Sequence, residues 1–132
     1  MPGIRLADAQ DIRSVWEQIE QVATYAENEE ANWLPITAET VIEAQTLIAR
    51  VHELVYAGGL VWQVPHVGSD GDGAISFEWW RRNQTLTLYA YADGSTESLL
   101  AWGADVFSAM ESAENLTDEQ IVSVWRRFTE PA

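Results

Sequence analysis

The chain of 132 residues fits one domain, and its 47% hydrophobic content with seven Trp supplies enough apolar material for a core and excludes intrinsic disorder. Twenty-one acidic residues against seven basic ones, all Arg, give a formal net charge of −14, which disfavours direct binding to nucleic acids or to anionic membranes. The absence of Cys excludes disulfides, thiol nucleophiles and Cys-ligated metal centres.

Two amphipathic helices are predicted in the first half of the chain. Apolar residues recur at spacings of three and four over about 9–27 and again over about 38–57. Thr37 is the expected N-cap of the second helix, and Gly58 follows its last turn, where helices commonly end.

After the second helix the hydrophobic period changes to that of strands. A short strand is predicted at Leu60–Val64, ended by Pro65. Three alternating segments follow, at Ala74–Trp80, Thr85–Tyr91 and Thr96–Ala101. Together they predict an antiparallel meander of about four strands.

Two turn signals predict the register of this meander. A loop at 82–83 (Arg-Asn) pairs Phe77 with Leu88, and a two-residue loop at 93–94 (Asp-Gly) pairs Leu88 with Leu99. One face of the sheet then collects Ile75, Phe77, Trp79, Leu86, Leu88, Leu99 and Ala101. The other face collects Ser76, Glu78, Trp80, Thr87, Tyr89, Tyr91, Ser98, Leu100 and Trp102.

The C-terminal region is predicted to close the domain with a helix. A short helix is one interpretation of the ambiguous stretch 103–113, around Val106, Phe107 and Met110. Thr117 and Gln120 have the spacing of a capping box, and an amphipathic helix is expected over about 118–129. The expected fold is a single α+β domain over 1–132, with two N-terminal helices, the meander and a C-terminal helix.

Part of the chain resembles a family of small uncharacterised bacterial proteins. The resemblance is carried by Asp72-Gly-Ala-Ile-Ser-Phe-Glu-Trp-Trp80, Leu86-Thr-Leu-Tyr89 and Asp93-Gly94, with Asn32-Trp33 and Pro65-His-Val67 in comparable places. It spans roughly residues 32–103. It implies a common fold, and no functional residues carry over from it.

The acidic loop at Gly68–Gly73 alternates Asp and Gly as calcium-binding loops do, but it lacks their ligand spacing. Aligned to an EF-hand through Gly73, it places Asp70 and Asp72 at ligand positions. The first and twelfth positions then fall on Gly68 and Trp79, which have no carboxylate. We therefore expect a solvated turn, with no metal and no cofactor.

Acid–base chemistry has few candidates in this sequence. Glu78 lies between aromatic residues and is interpreted as an ion-pair partner of Arg81, of Arg82 or of an Arg on a helix. His52 has no second His at metal-ligand spacing and is expected to be partly exposed, whereas His66 follows Pro65 beside the acidic loop. The sequence therefore favours a protein that is not an enzyme.

The aromatic side chains gathered on one sheet face exceed the apolar surface that a monomer usually exposes. They are expected to be covered by helices, by a second copy or by another protein. The leading hypothesis is a non-enzymatic acidic interaction protein whose partner has a basic surface, with an inhibitor, an antitoxin-like factor or a nucleic-acid mimic as examples. The expected partner-binding residues are Glu78, Trp80, Arg81, Arg82, Tyr89, Tyr91 and Trp102.

Two alternatives or additions accompany this hypothesis. One is a homo-oligomer, and the other is a small enzyme or ligand-binding protein that uses Glu78, His66 and the loop with Asp70 and Asp72.

Because no basic segment followed by an apolar stretch opens the chain, no signal peptide is expected and the expected compartment is the cytoplasm.

Overall fold

A computed structural model describes residues 6–28, 34–69, 72–102 and 110–129, and in the first range it describes the side chains of 12–24. The helices are α1 (Leu6–Asn28), α2 (Ala38–Ala57) and α3 (Asp118–Thr129). The strands are β1 (His66–Gly68), β2 (Ile75–Arg81), β3 (Gln84–Ala90), β4 (Thr96–Trp102) and β5 (Met110–Glu114). The α+β fold with two N-terminal helices and a C-terminal helix is confirmed, and the sheet has five strands rather than about four.

The five strands form one antiparallel sheet in the order β1-β2-β3-β4-β5. Helix α2 packs on β2 and β3, with α1 against β1 and α3 against β3. Alternate strand residues share one core with the apolar stripes of the three helices, as expected for a sheet with one buried face. This core includes Val15, Ile19, Ile48, Val51, Val67, Phe77, Trp79, Leu86, Leu88, Ile121, Trp125 and Phe128.

The predicted capping of α2 and α3 is confirmed by side-chain hydrogen bonds. Thr37 Oγ1 accepts from the backbone N–H of Thr40 at 3.2 Å, at the start of α2. Ahead of α3, Thr117 Oγ1 accepts from the Gln120 N–H at 3.2 Å, and Gln120 Oε1 accepts from the Thr117 N–H at 2.9 Å. Because capping depends on residues three apart, both helix starts are readable from the sequence.

The predicted register of the first hairpin is confirmed. Phe77 lies opposite Leu88, with Ile75 opposite Ala90 two residues away. The loop is the expected pair of residues, and Arg82 adopts a positive φ of 55° in it.

The predicted register of the second hairpin is wrong by one residue. Leu88 lies opposite Ser98, and Leu99 lies opposite Thr87. The one-residue shift moves Leu99 and Ala101 away from the helices and brings Ser98, Leu100 and Trp102 onto the helix-covered side of β4.

A longer loop causes this shift. The Tyr91 N–H donates to the Ser95 carbonyl at 3.2 Å, so three residues rather than two separate the last paired positions. Gly94, the third of them, has a φ of 85°, and its N–H donates to the Tyr91 carbonyl at 3.0 Å. This is a three-residue hairpin loop in which glycine occupies the left-handed position.

The strand predicted at Leu60–Val64 does not form. Two carbonyl groups of this segment accept hydrogen bonds from indoles of the core: Val61 O from Trp125 Nε1 at 3.2 Å, and Gln63 O from Trp79 Nε1 at 2.8 Å. Side chains thus occupy carbonyl oxygens that a strand ladder uses. Strand pairing begins only at His66, after Pro65.

The stretch near Met110 also differs from its prediction. Met110 begins strand β5, which pairs with β4, so it does not belong to a helix. Val106 and Phe107 lie outside the described residues. Among the helices that the structure describes, none combines the length and the apolar character needed to cross a membrane.

Candidate functional site

The sheet has one face that the helices leave open, here called the outward face. Strand pairing arranges its residues in three rows that run across the strands. The first row is Trp80, Thr85, Ala101 and Met110; the second is His66, Glu78, Thr87, Leu99 and Ser112; the third is Gly68, Ser76, Tyr89, Glu97 and Glu114.

The first row forms an apolar end. Trp80 on β2 is 58% exposed and Met110 on β5 is 48% exposed, although both lie within a paired sheet. The short side chains of Thr85 and Ala101 lie between them. Two large apolar side chains therefore stand on either side of a low floor.

The third row forms an acidic end. The Tyr91 hydroxyl donates to Glu97 Oε2 at 2.9 Å, and the rings of Tyr89 and Tyr91 stack with centroids 6.4 Å apart. Glu97 lies opposite Glu114 on β5. Burial, the hydrogen bond to Glu97 and the negative charges of Glu97 and Asp72 raise the pKa of Tyr91 to about 12.

The middle row holds the acid–base candidates. Glu78, on β2, lies opposite His66 on the edge strand β1 and opposite Thr87 on β3. The exposed His66 ring is tilted against Trp80 with centroids 5.9 Å apart. A carboxylate and an imidazole are therefore neighbours here, on an open surface.

The expected ion pair between Glu78 and Arg81 or Arg82 is not formed. Within the described residues, the ion pairs join Arg50 to Asp118 at 2.5 Å and Arg127 to Glu111. Both pairs attach helices to neighbouring parts of the fold rather than to the outward face.

The predicted partner-binding residues divide between the two faces. Those on the outward side are Glu78, Trp80, Tyr89 and Tyr91, and Arg82 lies in the turn at the end of that face. Arg81 and Trp102 share a row with Gln84 on the helix-covered side, so the predicted position of Trp102 on the same face as Trp80 is wrong. The register shift of β4 explains the misplacement of Trp102, which is 39% exposed at the end of the sheet.

Sequence reasoning missed several members of the outward face. Leu99 and Ala101 are predicted on the core face and Met110 in a short helix, and no face is predicted for Glu97 and Glu114. If the second loop is taken as three residues instead of two, the register places Leu99 and Ala101 on the outward face. Met110 and Glu114 lie on β5, which has no alternating hydrophobic pattern to mark it.

A cavity of about 370 Å³ lies at one end of the helix-covered side rather than on the outward face. It is lined by Gly59, Leu60, Val61, Gln63, Arg81 and Thr129. Its described lining has one ionisable side chain, Arg81, and therefore offers no acid–base pair for catalysis.

His52 is part of the core, contrary to the expectation of a surface residue. It is buried, and its ring meets that of Trp62 edge-on with centroids 4.8 Å apart. Trp62 in turn stacks on Trp125 at 5.9 Å, and Trp125 meets Trp79 edge-on at 5.2 Å. These aromatic rings join α2, α3 and β2 and have a structural role.

The described part of the acidic loop forms a turn. Asp72 Oδ1 accepts from the Ala74 N–H at 3.1 Å, and Asp72 forms an isolated parallel bridge with Leu34. Asp70 lies outside the described residues. Within the part of the chain that the structure describes, no three His, Asp or Glu side chains are grouped to hold a metal ion.

Comparisons with known proteins identified no relative of this chain. The chain matches no protein-family model, no curated protein and no solved structure. Function is therefore inferred from the chemistry of the outward face and from the charge of the chain.

Proposed function

We propose that this protein is a non-enzymatic acidic interaction protein that binds another protein through its outward face. The observation that carries the proposal is Trp80, which exposes 58% of its surface although it lies within β2, opposite Thr85 of β3. Trp is among the residues that most often anchor protein interfaces, because a partner that covers it removes a large apolar surface from water.

The charge of the chain supports a partner with a basic surface. The net charge is −14, and the described outward face has three carboxylates but no Arg or Lys. Such a field attracts cationic surfaces and accelerates their association. An inhibitor, an antitoxin-like factor or a nucleic-acid mimic acts in this way, and we place that activity in the cytoplasm.

From the resemblance to the family of small uncharacterised bacterial proteins, this proposal takes only a common fold. It is supported by the Asp72–Trp80 segment, which leads into β2 and contains most of it. No activity or functional residue is taken from the family.

The alternative, a small enzyme, is supported by the position of His66 opposite Glu78. Both residues lie on an open face, and neither of them lines the cavity of about 370 Å³ or a second pocket of about 480 Å³ along α3. Catalytic acid–base pairs are usually enclosed in a pocket that excludes water. The geometry therefore favours binding over catalysis.

The proposal is tested by capture from an extract of the native host with the full chain as bait. The captured protein is identified, purified and titrated against wild type, Trp80→Ala and Tyr89→Ala. Each substitution is expected to weaken binding by about 2 kcal/mol, roughly thirtyfold, as loss of an interface anchor does.

Trp16→Ala is the matched control, because Trp16 is 40% exposed on α1 and is not part of the outward face. It is expected to leave binding unchanged, with folding of every variant checked by thermal melting. If Trp16→Ala weakens binding and Trp80→Ala does not, the interface lies on the helices and the proposal is wrong.

A further inference from the structure

The outward face has the width of a helix-binding channel. The pairings of the first row place Trp80 on β2 and Met110 on β5 at the same level of the sheet. Three strand spacings separate them, about 14 Å in total. An α-helix with its side chains is about 10–12 Å wide. A helix laid along the strands therefore fits between these two side chains.

The floor of the channel is low and partly apolar in the first two rows. Ala101 and Thr85 form it at the apolar end, and Leu99 and Thr87 form it one row further along β3 and β4. Thr87 is buried, and the other three are partly buried. A helix above them contacts Leu99 and Ala101 with its apolar stripe, which is the usual arrangement of helix-in-groove recognition.

The channel has a charge polarity along its length. Glu97 and Glu114 lie opposite each other in the third row, four strand positions from the Trp80 row. Four residues of strand span about 13 Å. Among the described residues of this face, His66 is the one side chain that can carry a positive charge. The described residues of this face therefore supply no Arg or Lys to Glu97 and Glu114, and a partner with such side chains supplies the missing positive charge.

We infer that the outward face seats an amphipathic helix of the partner protein, with apolar side chains between Trp80 and Met110 and Arg or Lys side chains over Glu97 and Glu114. This inference rests on the proposed function and specifies the partner's chemistry. A separation of about 13 Å corresponds to about nine residues of helix. A second copy of this chain is disfavoured, because a symmetric contact through this face brings carboxylates without Arg or Lys.

The test uses three synthetic helical peptides of equal length, titrated calorimetrically into the full-length protein at low salt. The first carries Leu at one end of a helix face and Arg about nine residues away. The second has the same composition with Arg within one turn of Leu, and the third is the first with Glu in place of Arg.

The first peptide is expected to bind about tenfold more tightly than the second, which corresponds to a few exposed ion pairs. The third is expected not to bind. Equal affinity of the first two peptides, or no binding of the first, overturns the inference.

Variants locate the two ends of the channel. Glu97→Gln combined with Glu114→Gln is expected to weaken the first peptide about fivefold and to reduce the salt dependence of binding. Trp80→Ala is expected to weaken it without changing the salt dependence.

The matched control removes the same two charges elsewhere. Glu17 and Glu20 are exposed on α1, and Glu17→Gln with Glu20→Gln is expected to leave the affinity within about twofold. An equal loss in this control shows that net charge alone attracts the peptide and overturns the inference.

The inference and the proposed function fail in different ways. If binding of the captured native partner depends on Trp80 but not on Glu97 and Glu114, the helix orientation is wrong and the proposed function stands. If neither Trp80 nor the two carboxylates matter to that partner, both are wrong. A dimer seen by sedimentation and lost in Trp80→Ala assigns the face to a second copy and also overturns the inference.

Discussion

Trp79 and Trp80 are consecutive residues of β2, yet one is 2% exposed and the other 58% exposed. Trp79 points to the helices, where its indole N–H donates to the Gln63 carbonyl and its ring meets that of Trp125. Trp80 points the other way, toward solvent and the His66 ring. Strand geometry separates the two, since successive side chains leave a strand on opposite faces.

The two faces also differ in how their polar groups are satisfied. On the helix-covered side, the indole N–H groups of Trp79 and Trp125 find carbonyl acceptors within the fold. On the outward face, the carboxylate of Glu78 has no ion pair within the described residues. On the covered side, the indole N–H of Trp62 is the exception, since it is buried without an acceptor among the described residues. The outward face has charge and apolar surface left for a partner.

The largest expected contrast is between Trp79→Ala and Trp80→Ala. Trp79→Ala is expected to lower the free energy of unfolding by about 3–5 kcal/mol, because it opens a cavity between α3 and the sheet. Trp80→Ala is expected to cost less than about 1 kcal/mol, as most exposed substitutions do. Urea denaturation of both variants measures the difference. Similar losses in both would mean that the outward face is a second core.

A second contrast tests the register of β4. Leu88→Ala is expected to cost about 2–5 kcal/mol, because Leu88 is buried among Phe77 and its neighbours on the covered face. Leu99→Ala, on the outward face, is expected to cost less than about 1.5 kcal/mol, since only part of its side chain leaves water. Equilibrium unfolding in denaturant checks both. An equal cost would instead support the pairing of Leu88 with Leu99.

A smaller effect is expected at the loop that sets this register. Gly94→Ala is expected to cost about 1–2 kcal/mol, because a Cβ is disfavoured at a φ of 85°. Gly68→Ala in β1 is the control: an added Cβ there has Ser76 Oγ as its nearest neighbour, at 3.6 Å, an ordinary contact. Gly68→Ala is expected to stay within about 0.5 kcal/mol of wild type. Thermal unfolding compares the two, and an equal cost would contradict a special role of Gly94.

The smallest expected effect concerns the ionisation of Tyr91 at the acidic end of the outward face. Because the pKa of Tyr91 is raised to about 12 in the folded protein, above its ordinary value of 10.0, folding favours the neutral phenol. Its stabilising contribution is present in full below about pH 10 and is lost as the pH rises toward about 12.

Tyr91→Phe removes this dependence. Phenolate absorbance is expected to show one of the four Tyr of wild type ionising late, and that late phase is expected to be missing in the variant. Over the same pH range, the free energy of unfolding is expected to fall more steeply for wild type than for Tyr91→Phe. Identical late phases in the two proteins would assign the raised pKa to another Tyr.

The sequence by itself determined the elements whose stabilising contacts are local. Helix α2 and helix α3 have their predicted bounds, because caps at Thr37 and Thr117 act on residues three positions away. The first hairpin has its predicted register, because a two-residue loop and the alternation around Phe77 agree on one pairing. The outward positions of Trp80 and Tyr89 follow from that register.

The tertiary structure decided what the local pattern leaves open. In Ser98-Leu99-Leu100-Ala101-Trp102 both alternating sets contain a Leu, so hydrophobicity does not select the face of β4. The third loop residue, Gly94, and the burial of Leu100 under the helices select it, and Trp102 therefore leaves the predicted binding face. The same holds for Leu60–Val64, where distant indoles in α3 and β2 occupy carbonyl groups that a strand ladder would use. Such contacts join residues far apart in the chain, and no local spacing encodes them.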